Sequence, residues 1–255
     1  RTRPYEREAG SADALYRRYA DRIKTELKHI GTRRYRTLIR DLVQDFDTLP
    51  LNPDAKPRIG VVGEILVKFH PAANNDIVGT IEREGAECVM PDLMDFFLYS
   101  FFNGIYRNTH LEAKPFKRFI SRAAIRFIEN YRREIKKQLN KSKRFTAPES
   151  IYTLAEGVHG ILDLGNAAGE GWFLTAEMVE LIKSGVLGIA CIQPFACLPN
   201  HVTGKGMIKE LRRRYPEANI SAIDFDPGAS EVNQLNRLKL LLANAKPGLH
   251  PDETK

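Results

Sequence analysis

The residues able to do chemistry gather between positions 191 and 206, in Cys-Ile-Gln-Pro-Phe-Ala-Cys-Leu-Pro-Asn-His-Val-Thr-Gly-Lys-Gly. Two of the chain's three cysteines, Cys191 and Cys197, lie here, six positions apart. That spacing is neither the Cys-x-x-Cys of a zinc ribbon nor that of a thioredoxin, and no second pair exists. Cys191 closes an apolar run and reads as a small buried hydrophobe. Cys197 sits between prolines in a loop, where a thiol has less packing reason to be present. The positive end of a following helix would favour its thiolate. Cys88 lies inside a short apolar stretch and reads as core, unless the end of that stretch turns it toward the same cleft. Three thiols is also the number that holds a cubane iron–sulfur cluster with one open iron.

Gly204-Lys205-Gly206 is suggestive of a phosphate loop but does not make one. The Walker pattern needs an earlier glycine and a Ser or Thr after the lysine, and Pro199 and Gly206 stand there instead. Free amides at a helix start would still bind an anion. A second glycine-rich segment, GNAAGEGW at 165–172, contains Gly169 and Gly171 and leads into a helical pattern. No clear strand precedes it as a dinucleotide fingerprint requires. Asp224 and Asp226 have the types for metal or acid–base work, but an Asp-x-Asp-Pro-Gly after a strand ordinarily forms a turn and caps the next helix. His201 reads as a helix-start residue rather than a ligand.

Four apolar runs must position these residues: 58–66, 86–90, 186–192 and 219–225. Helical patterns separate them, so the expected fold class is α/β, an open parallel sheet covered on both faces. The helix expected before the second run covers 74–85, ended by Gly85. Thr175 is the expected cap of the helix after the glycine-rich loop, and one helix is expected over 201–215. Ligands of such sheets bind at the carboxyl ends of the strands, where GEI, MPD, CIQPFACLPN and DFDPGAS all fall.

Residues 11–29 and 32–47 form two amphipathic helices, the first with Ala14, Leu15, Tyr19, Ile23 and Leu27 on its stripe and the second with Tyr35, Leu38, Leu42 and Phe46. A Pro/Asn/Asp linker follows. The expected division is a helical arm over 1–52, an α/β domain over 53–245 and a tail over 246–255. A long amphipathic helix is expected over 114–139, with Phe116, Phe119, Ile120, Ala123, Phe127, Tyr131 and Ile135 as its buried face.

The net charge of +7 is uneven: residues 114–144 hold twelve Lys and Arg against Glu129 and Glu134. No nucleic-acid motif accompanies this charge and few aromatics interleave with it, so it reads as a solvated face or a dock for an acidic partner. No apolar run is long enough to cross a bilayer and no signal peptide is visible, so no membrane partner is expected. Three cysteines argue against a disulfide framework and fit a reducing cytoplasm. The start lacks an initiator Met, as a piece of a longer polypeptide would.

From about residue 57 to 245 the chain resembles the dehydratase-like region of large bacterial acyl-CoA dehydratase activase proteins. The resemblance rests on GEILVKFHPAANNDIVGTIEREGAEC, GNAAGEGWFLTAEMVELI and the run from ACIQPFACLPNHVTGKG to LNRLKLLL. That region is similar to the subunits of 2-hydroxyacyl-CoA dehydratases and to double-cubane cluster proteins. The resemblance implies flavodoxin-like domains used in pairs, with a cluster on three cysteines between them. An ATP-hydrolysing activase would feed it a low-potential electron for ketyl-radical chemistry on a 2-hydroxyacyl-CoA. Cys191 or Cys197 matches a ligand position, Cys197 ranking first on expected exposure; Cys88 is not clearly matched. The partner α/β domain and the activase's nucleotide motifs are not seen in this sequence, so the chain alone is expected neither to hydrolyse ATP nor to dehydrate a substrate. The rivals are a docking module acting through the basic helix and a metal-free CoA- or nucleotide-binding domain using the loops at 165–172 and 203–206.

Overall fold

The computed structural model describes residues 1–26, 31–112, 114–226, 228 and 230–245. Leu27, Pro227 and the tail from 246 lie outside them. The chain forms two compact units, one of Arg1–Ala55 with Phe127–Pro148 and one of Lys56–Arg126 with Glu149–Gly248.

The first unit is helical. Helices α1 (Ser11–Glu26) and α2 (Thr32–Thr48) bury Leu15, Tyr19 and Leu38 against each other, with Ile23, Leu42 and Phe46 beside them. Tyr19 donates to Asp45 Oδ2 at 2.7 Å. Part of the basic cluster is structural here. Arg144 is buried, and its guanidinium donates to the carbonyls of Phe46 and Leu49, which the end of α2 would otherwise leave open.

The second unit is the α/β domain. Its strands are β1 (Arg58–Gly63), β2 (Glu87–Val89), β3 (Gly188–Gln193) and β4 (Asn219–Asp224), all parallel, in the order β2-β1-β3-β4. This is a flavodoxin-like open sheet. Alternation along each strand divides the core in two. Ile59, Val61, Ala190, Ile192 and Ile223 point to one face, under α4 (Ile77–Arg83) and α11 (Glu231–Ala243). Val62, Ile189, Cys191 and Ile220 point to the other, under α8 (Gly171–Lys183) and α10 (Ile208–Arg214). The other helices of this unit are α3 (Ile65–Phe69), α5 (Leu93–His110), α7 (Ile151–Gly157) and α9 (Leu198–Thr203), and α6 (Pro115–Leu139) has residues in both units.

Three expectations are corrected. The helix after the glycine-rich loop starts at Gly171, not at Thr175; Thr175 is fully buried inside it and donates to Thr203 O at 2.5 Å. The single helix over 201–215 is three pieces, α9, a 3-10 turn at Lys205–Met207 and α10, because Gly204 leaves helical geometry at φ −102°, ψ −85°. The seam of α6 that was expected to be buried is open: Phe116, Phe119, Ile120, Phe127 and Tyr131 are exposed, as is Ala123, and Ile135 is half-buried. Ile125 and Arg132 are the buried residues of that helix.

Candidate functional site at the carboxyl edge of the sheet

The chain leaves β1 toward β2 on one side and later enters β3 on the other side of β1. The direction of winding therefore changes between β1 and β3, and the crevice beyond their carboxyl ends is where an open sheet of this kind receives ligands or partners. Gly63 and Glu64 line it from β1, and Gln193 and Pro194 from β3.

That crevice is closed by the chain itself. Gly63 adopts φ +145°, and a Cβ there would lie 1.8 Å from Ile192 O. Only glycine permits this approach, which lets Glu64 N donate to Ile192 O at 3.0 Å. The Glu64 carboxylate then caps α3 through Val67 N at 2.8 Å. Glu170, from the glycine-rich loop, accepts from Ile65 N at 3.1 Å. Burial pushes its pKa up, and the backbone amides it receives pull it back. Asn200 is fully buried, with its amide oriented to donate to Glu170 Oε2 at 2.6 Å and to accept from Glu64 N at 2.9 Å. Beneath them Lys68 and Glu177, both buried, form an ion pair of 2.7 Å. Desolvation raises the Glu177 pKa and the Lys68 ammonium opposes the rise.

The two glycine-bearing loops are explained by packing. Gly169 and Gly171 have φ of +58° and +49°. A Cβ on Gly169 would stand 2.9 Å from Pro199 Cβ, so the loop lies directly on the segment after Cys197. Tyr99 holds the loop from below, its hydroxyl lying 3.1 Å from Ala167 O and 2.9 Å from Gly169 O. Trp172 N donates back to Asn166 O, and Phe173 N to Glu170 O. The amides that would cradle a phosphate at the start of α8 are therefore engaged, and a carboxylate stands among them. Gly204 lets the chain cross close over the core: a Cβ there would lie 3.1 Å from Cys191 Sγ and 2.8 Å from Leu174 Cδ2. A Cβ on Gly206 would meet His201 O at 2.9 Å. Lys205 is exposed, with Nζ 3.7 Å from Asp224 Oδ2.

The three thiols occupy three environments. Cys191 is fully enclosed beneath α8, and burial, with Glu177 and Asp224 nearby, pushes its pKa up to about 12. It is a thiol at neutral pH, in apolar surroundings. Cys88 sits on the outer strand β2 opposite Ile59, and packs against the other face of the sheet. Cys197 alone stands at the carboxyl edge. It is half-buried at the N-cap position of α9, with no hydrogen bond from its side chain to the helix. Ala196 before it takes a left-handed φ of +61°, which costs an alanine about 1–2 kcal/mol. His201 Nδ1 lies 3.0 Å from Cys197 O, and Gln193 donates to Asp224 Oδ1 at 2.8 Å. Among the described residues no three His, Cys, Asp or Glu side chains are grouped to hold a metal ion.

What surrounds Cys197 is apolar and open. Phe195 and Leu198 are 71% and 73% exposed, and Val202 follows on the same short helix. The segments after β1 and β2 carry the same character, with Leu66 after β1 and Leu93, Met94 and Phe97 after β2. Asn200, Glu170 and the Lys68–Glu177 pair went unread in the sequence. Glu170 between two glycines was their one visible sign. No family model, no curated protein and no solved structure matches the chain.

Proposed function

We propose that the α/β unit is a docking domain of a reductive iron–sulfur system of the dehydratase-activase type. In this reading the carboxyl edge of the sheet packs on a partner α/β domain, and Cys197 is the one cysteine it brings to that junction. The observation that carries the reading is the set of exposed apolar residues after three neighbouring strands, Leu66 after β1, Leu93, Met94 and Phe97 after β2, and Phe195 and Leu198 after β3, where the half-buried thiol of Cys197 also stands. Isolated exposed apolar residues are ordinary, whereas a set following three strands at one sheet edge suits a protein interface.

The three cysteines do not fit a cluster held by this chain alone. Cys191 is neutral and enclosed, and Cys88 faces the opposite side of the sheet. An ATP-hydrolysing activase and an acyl-CoA substrate belong in this reading to the partners.

The test is anaerobic reconstitution with iron and sulfide, followed by visible absorption and electron paramagnetic resonance. It compares the chain alone with the chain mixed with a dehydratase-type α/β subunit and its activase. The expected result is no cluster on the chain alone, and a complex whose cluster is lost in Cys197→Ser and kept in Cys191→Ala. A cluster on the chain alone that survives Cys197→Ser overturns the proposal, as does the absence of any complex.

A further inference from the structure

On the face of the sheet opposite Cys191, helices α4 and α11 are tied to each other at two places. Just before α4, Asn75 Nδ2 donates to Gln234 Oε1 on α11 at 2.8 Å. Just after α4, Glu84 pairs with Lys239 of α11 at 3.3 Å. Between the two ties the helices leave a cavity of about 230 Å³, wholly within the α/β unit. Its buried lining is Ile77, Ile223, Phe225 and Leu238. Thr80 and Leu235, both half-buried, also line it. An apolar cavity of roughly 150 Å³ already holds benzene, so in proportion this one takes an occupant of about nine non-hydrogen atoms.

The polar side chains that reach this cavity are already engaged. Asn74 donates to Val67 O at 2.7 Å and accepts from Ile77 N at 3.1 Å. Gln234 accepts from Asn75 and donates to Asp224 O at 3.1 Å. Thr80 Oγ1 accepts from Arg83 Nη2 at 2.9 Å, and Arg83 Nη1 donates to Asp76 Oδ2 at 3.1 Å. An enclosed water needs about two to four partners, and here it would meet groups bonded elsewhere. The charges follow the same rule. Among the described lining residues Arg83 is the one cation, and it is paired with Asp76; Glu84 is paired with Lys239. Glu231 is exposed and has no ion pair among the described residues. No cation is therefore free to hold a carboxylate or a phosphate, and Glu231 repels either. An ammonium group would lose its hydration against the apolar lining with one exposed carboxylate to replace it.

We infer that the cavity between α4 and α11 is a binding site for a small uncharged apolar molecule, about the size of a two-ring aromatic. A concave, mostly apolar lining is the ordinary character of a small-molecule site. None of the residues that carry the function proposed above lines this cavity, so the two stand or fall independently.

The experiment uses the full chain and three probes of nearly equal size: indole, benzoate and benzylamine, the last two charged at neutral pH. Saturation-transfer NMR titrations are expected to show indole binding at least roughly tenfold more tightly than either charged probe. In amide chemical-shift maps indole is expected to move residues within 74–84 and 223–238 and to leave α6 unmoved. Thr80→Phe and Leu235→Trp each put a larger side chain into the cavity and are expected to abolish binding. Circular dichroism checks that both variants fold. Phe119→Ser, which alters an exposed ring outside the cavity, is expected to bind indole unchanged. No binding of indole overturns the inference, as does benzoate or benzylamine binding as tightly. So do amide shifts confined to other parts of the chain, binding that persists in a folded filled variant, or binding lost in Phe119→Ser. Where a filled variant does not fold, the shift map of the unaltered chain decides.

Discussion

Helices α8 and α6 use their apolar residues in opposite ways. In α8 nearly every residue from Gly171 to Ile182 is buried, whichever way it points. Trp172 is fully enclosed, packs edge-on against Tyr99 and Phe102, and donates from its indole to Asn103 Oδ1 at 2.9 Å. The same burial encloses Glu177 and most of Glu180. In α6 the large apolar residues Phe116, Phe119, Ile120, Phe127 and Tyr131 form a stripe that is left open, while Ile125 on the opposite side of the helix is buried. An apolar stripe at helical period shows that a helix has a side to cover; what covers it is decided elsewhere in the chain, or in another chain. A helix apolar all round leaves no such freedom.

The comparison can be broken most sharply at Lys68. Lys68→Ala leaves Glu177 as an uncompensated buried charge and is expected to cost roughly 3–5 kcal/mol in urea unfolding. The double change Lys68→Met/Glu177→Leu, which removes both charges, is expected to recover most of that loss; equal losses in the two variants would show that α8 does not depend on the pair. The next effect is a pH slope. Burial, then Asp95 and Glu177, pushes the Glu180 carboxyl up to about 7. The folded state therefore keeps a proton that the unfolded chain loses near its ordinary carboxylate value. Stability should fall, by something of order 2 kcal/mol, as pH rises from the ordinary value through about 7. Glu180→Gln should flatten that part of the profile, and an unchanged profile would place the titration elsewhere.

Smaller still is Tyr99→Phe, which strips the hydroxyl from Ala167 O and Gly169 O beneath the glycine-rich loop and should cost about 1–2 kcal/mol. Phe119→Ser on α6 should change stability by no more than about 0.5 kcal/mol, since the ring is mostly exposed. A loss of several kcal/mol there would mean that the stripe is covered within the chain, and the contrast with α8 would disappear.

The parts of the fold that could be read in the residues were those whose physics is local. Continuous apolar β-branched runs such as Ile-Gly-Val-Val announce strands buried on both faces, and all four stand where the runs placed them. The carboxyl-edge location of Cys197 followed from the same reading. Long-range matters were not legible. Lys68 and Glu177 are 109 residues apart, and neither neighbourhood hints at the other. Thr175 had the chemistry of a cap, but Gly171 opens the helix a turn earlier and turns that hydroxyl inward. The break in the helix after β3 did have a sign, the two glycines at 204 and 206 inside an otherwise helical pattern. The face of α6 was misassigned because period alone does not name a neighbour.

The sheet also makes the thiols a record of the chain's history. Cys88 and Cys191 lie on opposite faces, on strands with β1 between them. Two strand spacings of about 4.8 Å already exceed the roughly 7 Å that a disulfide can bridge. While the strands stay paired, oxidation cannot join these two residues. A Cys88–Cys191 crosslink recovered from a stored or stressed sample would mark molecules that had lost their strand order, and would count them without any probe being added.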